Sequence, residues 1–145
     1  MAGANEVKGD IEAFLGEWSG PDEAMRDCAR RLFQAVFSLV GVVPSFVARP
    51  GISYSLRPKH IRQSRRPLFA IVDVIDDDPA ERWLSVCFYG DMISDPEDRG
   101  ELVPGGLAGE DGYCFDLFAA DPVLLAYLQE RLAEAWRSAQ LEDAV

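Results

Sequence analysis

The sequence predicts an α+β domain, an antiparallel β-sheet of four to five strands covered on one face by N- and C-terminal helices. Three observations carry this. Apolar residues recur at spacings of three and four near both ends of the chain, the period falls to two in the middle, and the elements follow the order helix, strands, helix. With 145 residues, 48% of them hydrophobic, the chain suits one domain over residues 1–145, with its packed part at about 21–137.

The elements follow in order. "GDIEAFLGEW" allows a short helix with Asp10 as cap and Ile11, Phe14 and Leu15 on one side. "WSGPDEAMRDCARRLFQAVFSLVG" reads as a longer one. Ser19 caps it, Pro21 fits the first turn, Asp22 and Glu23 oppose the dipole, and Gly41 ends it. Met25, Cys28, Ala29, Leu32, Val36 and Leu39 form its buried face. "SFVA", the turn-like "RPG" and "GISYSLRP" suggest a hairpin. In the latter Ile52, Tyr54 and Leu56 alternate with Ser53, Ser55 and Arg57 on a wet face. "PLFAIVDVI" suits a central strand. "DDDPAE" connects it to "RWLSVCFY", and "GYCFDLF" supplies a further alternating strand. The connection at 90–112 exceeds the usual loop length and is expected to be a lid or partner surface. Within it Asp95-Pro96 starts a short helix or turn, and Pro104-Gly105-Gly106 breaks the chain. In "DPVLLAYLQERLAEAWRSAQ" Asp121 caps, Pro122 takes the first position, and Leu124, Leu128, Leu132 and Ala135 or Trp136 form the apolar stripe. The final "LEDAV" is expected to fray.

The net charge is −11, which disfavours nucleic acid and anionic membranes. No run of about eighteen apolar residues exists, and the N-terminus lacks a signal-peptide pattern, so a cytoplasmic protein is expected. Cys28, Cys87 and Cys114 fit neither a disulfide framework nor a zinc pattern and are expected to be reduced, mostly buried thiols. The charge is uneven. Residues 49–66 carry six basic and no acidic side chains, whereas residues 67–145 carry four basic and eighteen acidic ones.

The arrangement resembles the YdhG-like domains of unknown function. In these an N-terminal helix leads into an "hxYxhP"-type strand, further hydrophobic strands, a Gly-containing connection and a C-terminal helix. The carriers are "ISYSLRP" at 52–58, "LFAIVDVI" at 68–75, "WLSVCFY" at 83–89 and "LLAYLQERLAEA" at 124–135. Some members are described as frataxin-like iron chaperones, so the resemblance implies an iron-binding acidic surface and no enzyme pocket. Here "ISYSLRP" runs on into the basic "KHIRQSRR" and the 90–112 connection is long, so no family ligand residue can be placed.

Several groups could carry function. Arg49, Arg57, Lys59, His60, Arg62, Arg65 and Arg66 form the basic cluster. They could bind an anion or an acidic partner, or form a solvated loop that meets acidic surface in a homodimer, with His60 exposed. Asp76, Asp77 and Asp78 are the candidate hard-cation ligands, but they lack a ligand-loop spacing. Asp73 and Asp116 interrupt apolar strands. As cross-strand neighbours under the 90–112 loop they could act as acid and base; otherwise they are exposed or paired, Asp73 with Arg57. Ser53, Ser55 and Ser85 lack a nucleophile elbow, and the cysteines have no histidine partner apart from His60. The reading that follows is a non-enzymatic binding or protein-interaction domain that uses no cofactor. The alternatives are iron handling through the acidic loops and an Asp-based enzyme.

Overall fold

A computed structural model describes residues 3–18 and 22–142. Two helices, α1 (Ala4–Glu17) and α2 (Glu23–Phe37), precede six strands: β1 (Val42–Arg49), β2 (Ser53–His60), β3 (Ile71–Ile75), β4 (Trp83–Tyr89), β5 (Glu101–Leu107) and β6 (Glu110–Leu117). A third helix, α3 (Pro122–Gln140), closes the chain. The strands form one antiparallel sheet in the order β1-β2-β3-β4-β6-β5. The α+β class is as expected, but the sheet has one or two strands more than the sequence suggested, and the short helix allowed at "GDIEAFLGEW" is a longer one, Ala4–Glu17.

Register explains how the sheet is covered. Phe46, Leu56, Val72, Val86 and Phe115 stand opposite one another across five strands. Successive side chains of a strand point to opposite faces, so this row lies on one side. Phe14 of α1 and Phe33 of α2 reach Phe46, and Tyr127 of α3 reaches Phe115. All three helices therefore pack on the same face, and Leu56, Val74, Leu84, Val86 and Phe88 are fully buried beneath them. Truncating such a leucine to alanine costs about 2–5 kcal/mol.

The local codes act as follows. Asp121 accepts the Leu124 amide at the start of α3, and Pro122 follows it. Asp22 caps α2 through the Met25 amide. The Ser19 cap and Pro21 lie outside the described residues, as do the last three residues of "LEDAV". Helix α2 stops at Phe37 with Ser38 as its C-cap, before Gly41, which lies in the turn into β1 with φ of +77°. Helix α1 starts at Ala4, so Asp10 sits inside it and is not its cap. The largest difference is at 90–112. Its second half is β5 paired with β6, and Pro104-Gly105-Gly106 makes a bulged edge strand where the sequence suggested a break. Asp95-Pro96 starts a turn, with the Asp95 carboxylate accepting the Arg99 and Gly100 amides at 3.0 and 2.9 Å.

One buried ion pair ties three segments together. Asp76 accepts the Gly51 amide at 2.8 Å and Arg82 Nε at 2.7 Å. The Arg82 guanidinium lies 5.2 Å from the Phe14 ring and 5.1 Å from the Trp18 ring, which anchors the end of α1. Burial opposes ionisation of Asp76, but the Gly51 amide and Arg82 outweigh it and hold its carboxyl below the ordinary 3.8. The folded state thus binds fewer protons there than the unfolded one. The pair's stabilisation is complete above the unfolded pKa and is lost as pH falls through the folded one. Arg82→Met strands the buried carboxylate and is expected to cost about 3 kcal/mol at neutral pH. Urea unfolding from pH 7 to pH 2 should show the variant recovering part of this loss on acidification, and a loss independent of pH would contradict it.

Candidate functional site

The face of the sheet opposite the helices carries most of the unexplained polar chemistry. Val47, Ser55, Asp73, Ser85 and Asp116 stand in one row across it. Arg49 with Ser53 and Arg57 with Ser45 flank that row on β1 and β2. The wet face expected for β2 is not wet: Ser53 and Ser55 are 3% and 0% exposed. The arginines cover them, Arg49 Nη2 donating to Ser53 Oγ at 3.1 Å and Arg57 Nε to Ser55 Oγ at 3.0 Å.

Asp73 lies between Ser55 and Ser85. Burial pushes its carboxyl above the ordinary 3.8, against the opposing pull of the Ser55 hydroxyl and the charges of Arg57 and Arg49. One of its carboxylate oxygens is buried without a hydrogen-bond partner. Arg57 is thus an electrostatic neighbour of Asp73, but its direct partner is Ser55. Asp116 is exposed, with Ser85 between it and Asp73. Two strand spacings, about 10 Å, are too far for the carboxyls to share a proton.

The cysteine expectation is overturned. Cys87 on β4 and Cys114 on β6 are directly opposite, with Cα atoms 4.2 Å apart, and form a disulfide. Chain spacing of 27 residues does not reveal that alternation puts both on the open face in one register. Cys28 is a free, buried thiol, as expected.

The basic cluster divides into four parts. Arg49, Arg57 and Lys59 lie on the open face of β1 and β2, where Lys59 pairs with Val43 and Arg57 with Ser45. His60 is not exposed: it is 4% exposed, its Nδ1 accepts the Arg62 amide, and it faces Trp136. Any Cβ at Gly41 would come within 2.9 Å of its Nε2, so only glycine lets the chain pass so close. Arg62 and Arg65 lie on the loop after β2, where Glu142 accepts the Ser64 and Arg65 amides. Arg66 is engaged twice, on Asp91 at 2.8 and 3.1 Å and on Glu110 at 2.6 and 3.1 Å, with its guanidinium 4.1 Å from the Tyr89 ring. These contacts hold its pKa above its ordinary value, and they clamp the β5–β6 hairpin to β4.

The candidate metal ligands do not converge. Asp76 is turned inward to Arg82, whereas Asp77 and Asp78 are exposed and accept the Asp78 and Ala80 amides in a turn. Among the described residues no three His, Cys, Asp or Glu side chains form a group that could hold a metal ion. Nor is any helix among them long and apolar enough to cross a membrane.

The tip of the hairpin leans over the open face. Gly105, Ala108 and Gly109 take φ of +64°, +52° and +86°, which turns Leu107 inward until it is 5% exposed. Between the tip and the strands lies a concavity of about 410 Å³. The sequence pointed to 90–112 as a lid or partner surface but did not reveal the hairpin that makes this wall, because Pro104-Gly105-Gly106 read as a break. Searches against protein-family models, curated proteins and solved structures find no match to this chain.

Asp73 yields the sharpest test of the face. Because its folded pKa is raised, the folded state binds more protons than the unfolded one in the window just above 3.8, and stability falls as pH rises through it. Asp73→Asn removes the desolvated charge and is expected to raise stability at pH 7 by about 1 kcal/mol. Urea unfolding from pH 3.5 to pH 8 should flatten in the variant, and a less stable variant would mean that Arg49 and Arg57 outweigh burial.

Proposed function

We propose that this chain is a non-enzymatic binding domain whose open sheet face takes an acidic segment of a protein partner. The observation that carries the reading is the state of the cations. Among the described residues Arg31, Arg66, Arg82, Arg99 and Arg131 are ion-paired, whereas Lys8, Arg26, Arg30, Arg62, Arg65 and Arg137 are not and are spread over three helices and the loop after β2. Arg49, Arg57 and Lys59 share one face, and among the described residues none has a carboxylate within ion-pair distance. In a chain of net charge −11, three cations left without carboxylates on one surface favour an external anion. A long polyanion would meet the acidic remainder, so a short acidic segment suits better than nucleic acid.

Asp73, desolvated and half-satisfied, is the one observation that favours acid–base chemistry instead. It has no nucleophile beside it: Ser53, Ser55 and Ser85 lack a histidine, and His60 lies on the helix-covered face. Binding therefore accounts for more of the face than catalysis does.

Titrating a ten-residue Glu-rich peptide into the ¹⁵N-labelled chain tests this. At about 20 mM salt the amide shifts should centre on β1 and β2 and fade at about 0.5 M, where exposed charges are screened. The triple variant Arg49→Gln, Arg57→Gln, Lys59→Gln should lose them. Shifts that survive in the triple variant, or no shifts at low salt, would overturn the proposal. A dimer by light scattering that dissolves in salt and in the triple variant would identify the partner as a second copy of this chain.

A further inference from the structure

The concavity under the hairpin tip has a chemistry of its own. Its apolar lining is Pro67, Leu68, Ile71, Tyr89 and Leu107, and Ser45 and Arg57 line it as well. Leu68, Tyr89 and Leu107 are 9%, 1% and 5% exposed, so the walls are set in packed structure. Arg66 lies against the Tyr89 ring and holds both Asp91 and Glu110, which fixes the hairpin that carries Leu107. The cavity is thus largely formed before anything enters it, which lowers the ordering cost of binding.

Arg57 supplies the polar end. Its Nε is held by Ser55, which orients the guanidinium, while its two terminal nitrogens have no protein partner among the described residues. Such a fork accepts a carboxylate through two parallel hydrogen bonds. We propose that this concavity binds a small apolar monocarboxylate, its hydrocarbon body against Ile71, Tyr89 and Leu107 and its carboxylate on Arg57. A volume of about 410 Å³ falls in the range of small-molecule sites, which combine apolar walls with few polar groups. A single fork matches one charge; a second would sit unpaired against apolar wall. The use of Arg57 as an anion contact rests on the functional reading above, but the walls and the size of the ligand do not.

Phenylacetate and its uncharged analogue phenylacetamide are the probes, added to the full chain with methyl-labelled isoleucine and leucine. Phenylacetate should shift the Ile71 and Leu107 methyls saturably, with Kd on the order of 1 mM or tighter. Phenylacetamide should bind at least about tenfold more weakly. Arg57→Gln should abolish the difference between the two, and Leu107→Ala should weaken phenylacetate about threefold or more. The comparison of the two probes needs no variant, so it stands even if Arg57→Gln does not fold. Equal binding of acid and amide, or shifts away from Ile71 and Leu107, would overturn the proposal. Phenylacetate failing while the Glu-rich peptide still binds removes the concavity alone, and the reverse outcome removes the acidic-partner reading alone.

Discussion

A six-stranded sheet with all its helices on one side has to solve its second face without a second layer. The row from Phe46 to Phe115 takes the apolar residues of alternate positions and gives them to α1, α2 and α3. What remains is covered only by the hairpin tip, over Ile71 and Tyr89. Beyond the tip it cannot be wholly apolar, because nothing covers it, and cannot be freely polar, because central strands shield their own backbone-proximal atoms. The chain meets both demands with small hydroxyls roofed by long cations. Ser53 and Ser55 lie under Arg49 and Arg57, whose stems bury the surface while their guanidinium groups keep access to solvent.

The same constraint directs where the remaining arginines go. In an acidic chain each cation placed between two elements can join carboxylates that would otherwise repel. Arg66 does so between β4 and the β5–β6 hairpin, while Arg82 joins the single carboxylate of Asp76 to the aromatic rings at the end of α1. Arg131, 8% exposed on α3, lies against the Tyr127 ring and pairs with Glu134, which also accepts the Ser94 amide and hydroxyl. Tyr127 in turn donates to Asp95. Burial works against ionisation of Asp95, yet this hydroxyl, the Arg99 and Gly100 amides and the charge of Arg131 keep its pKa below the ordinary 3.8. The 90–100 segment is therefore fastened to α3 by a polar network, which fits an ordered wall better than a mobile lid.

What was legible in the sequence followed from local rules. Asp121-Pro122 and Asp22 act on their own turns, and neither the continuous apolar run of β3 nor the alternation in β4 and β6 needs a partner to be seen. What was not legible depended on register or on contact. Residues 57–60 read as one basic run, but a period of two sends Arg57 and Lys59 to the open face and His60 to the helices. Cys87 and Cys114 meet only because β4 pairs with β6 in one register. Pro104 and the glycines beside it are strand breakers by composition, and they are tolerated because β5 is an edge, where a missing amide and a bulge disrupt no second neighbour.

The separation of Asp73 from Arg57 by Ser55 then has a consequence for binding. A carboxylate fully ionised beside Arg57 would compete with any incoming anion for the guanidinium. Asp73 is a poor competitor on two counts. Burial raises its pKa, which weakens its hold on charge, and Ser55 stands between it and Arg57, taking Nε. An anion arriving at Arg57 would screen the positive charge that now steadies ionised Asp73 and so favour its protonated form. Protonation would in turn remove the one negative charge facing that anion. The two events are thus coupled through the charge of Arg57: an anion on its guanidinium and a proton on Asp73 would each favour the other.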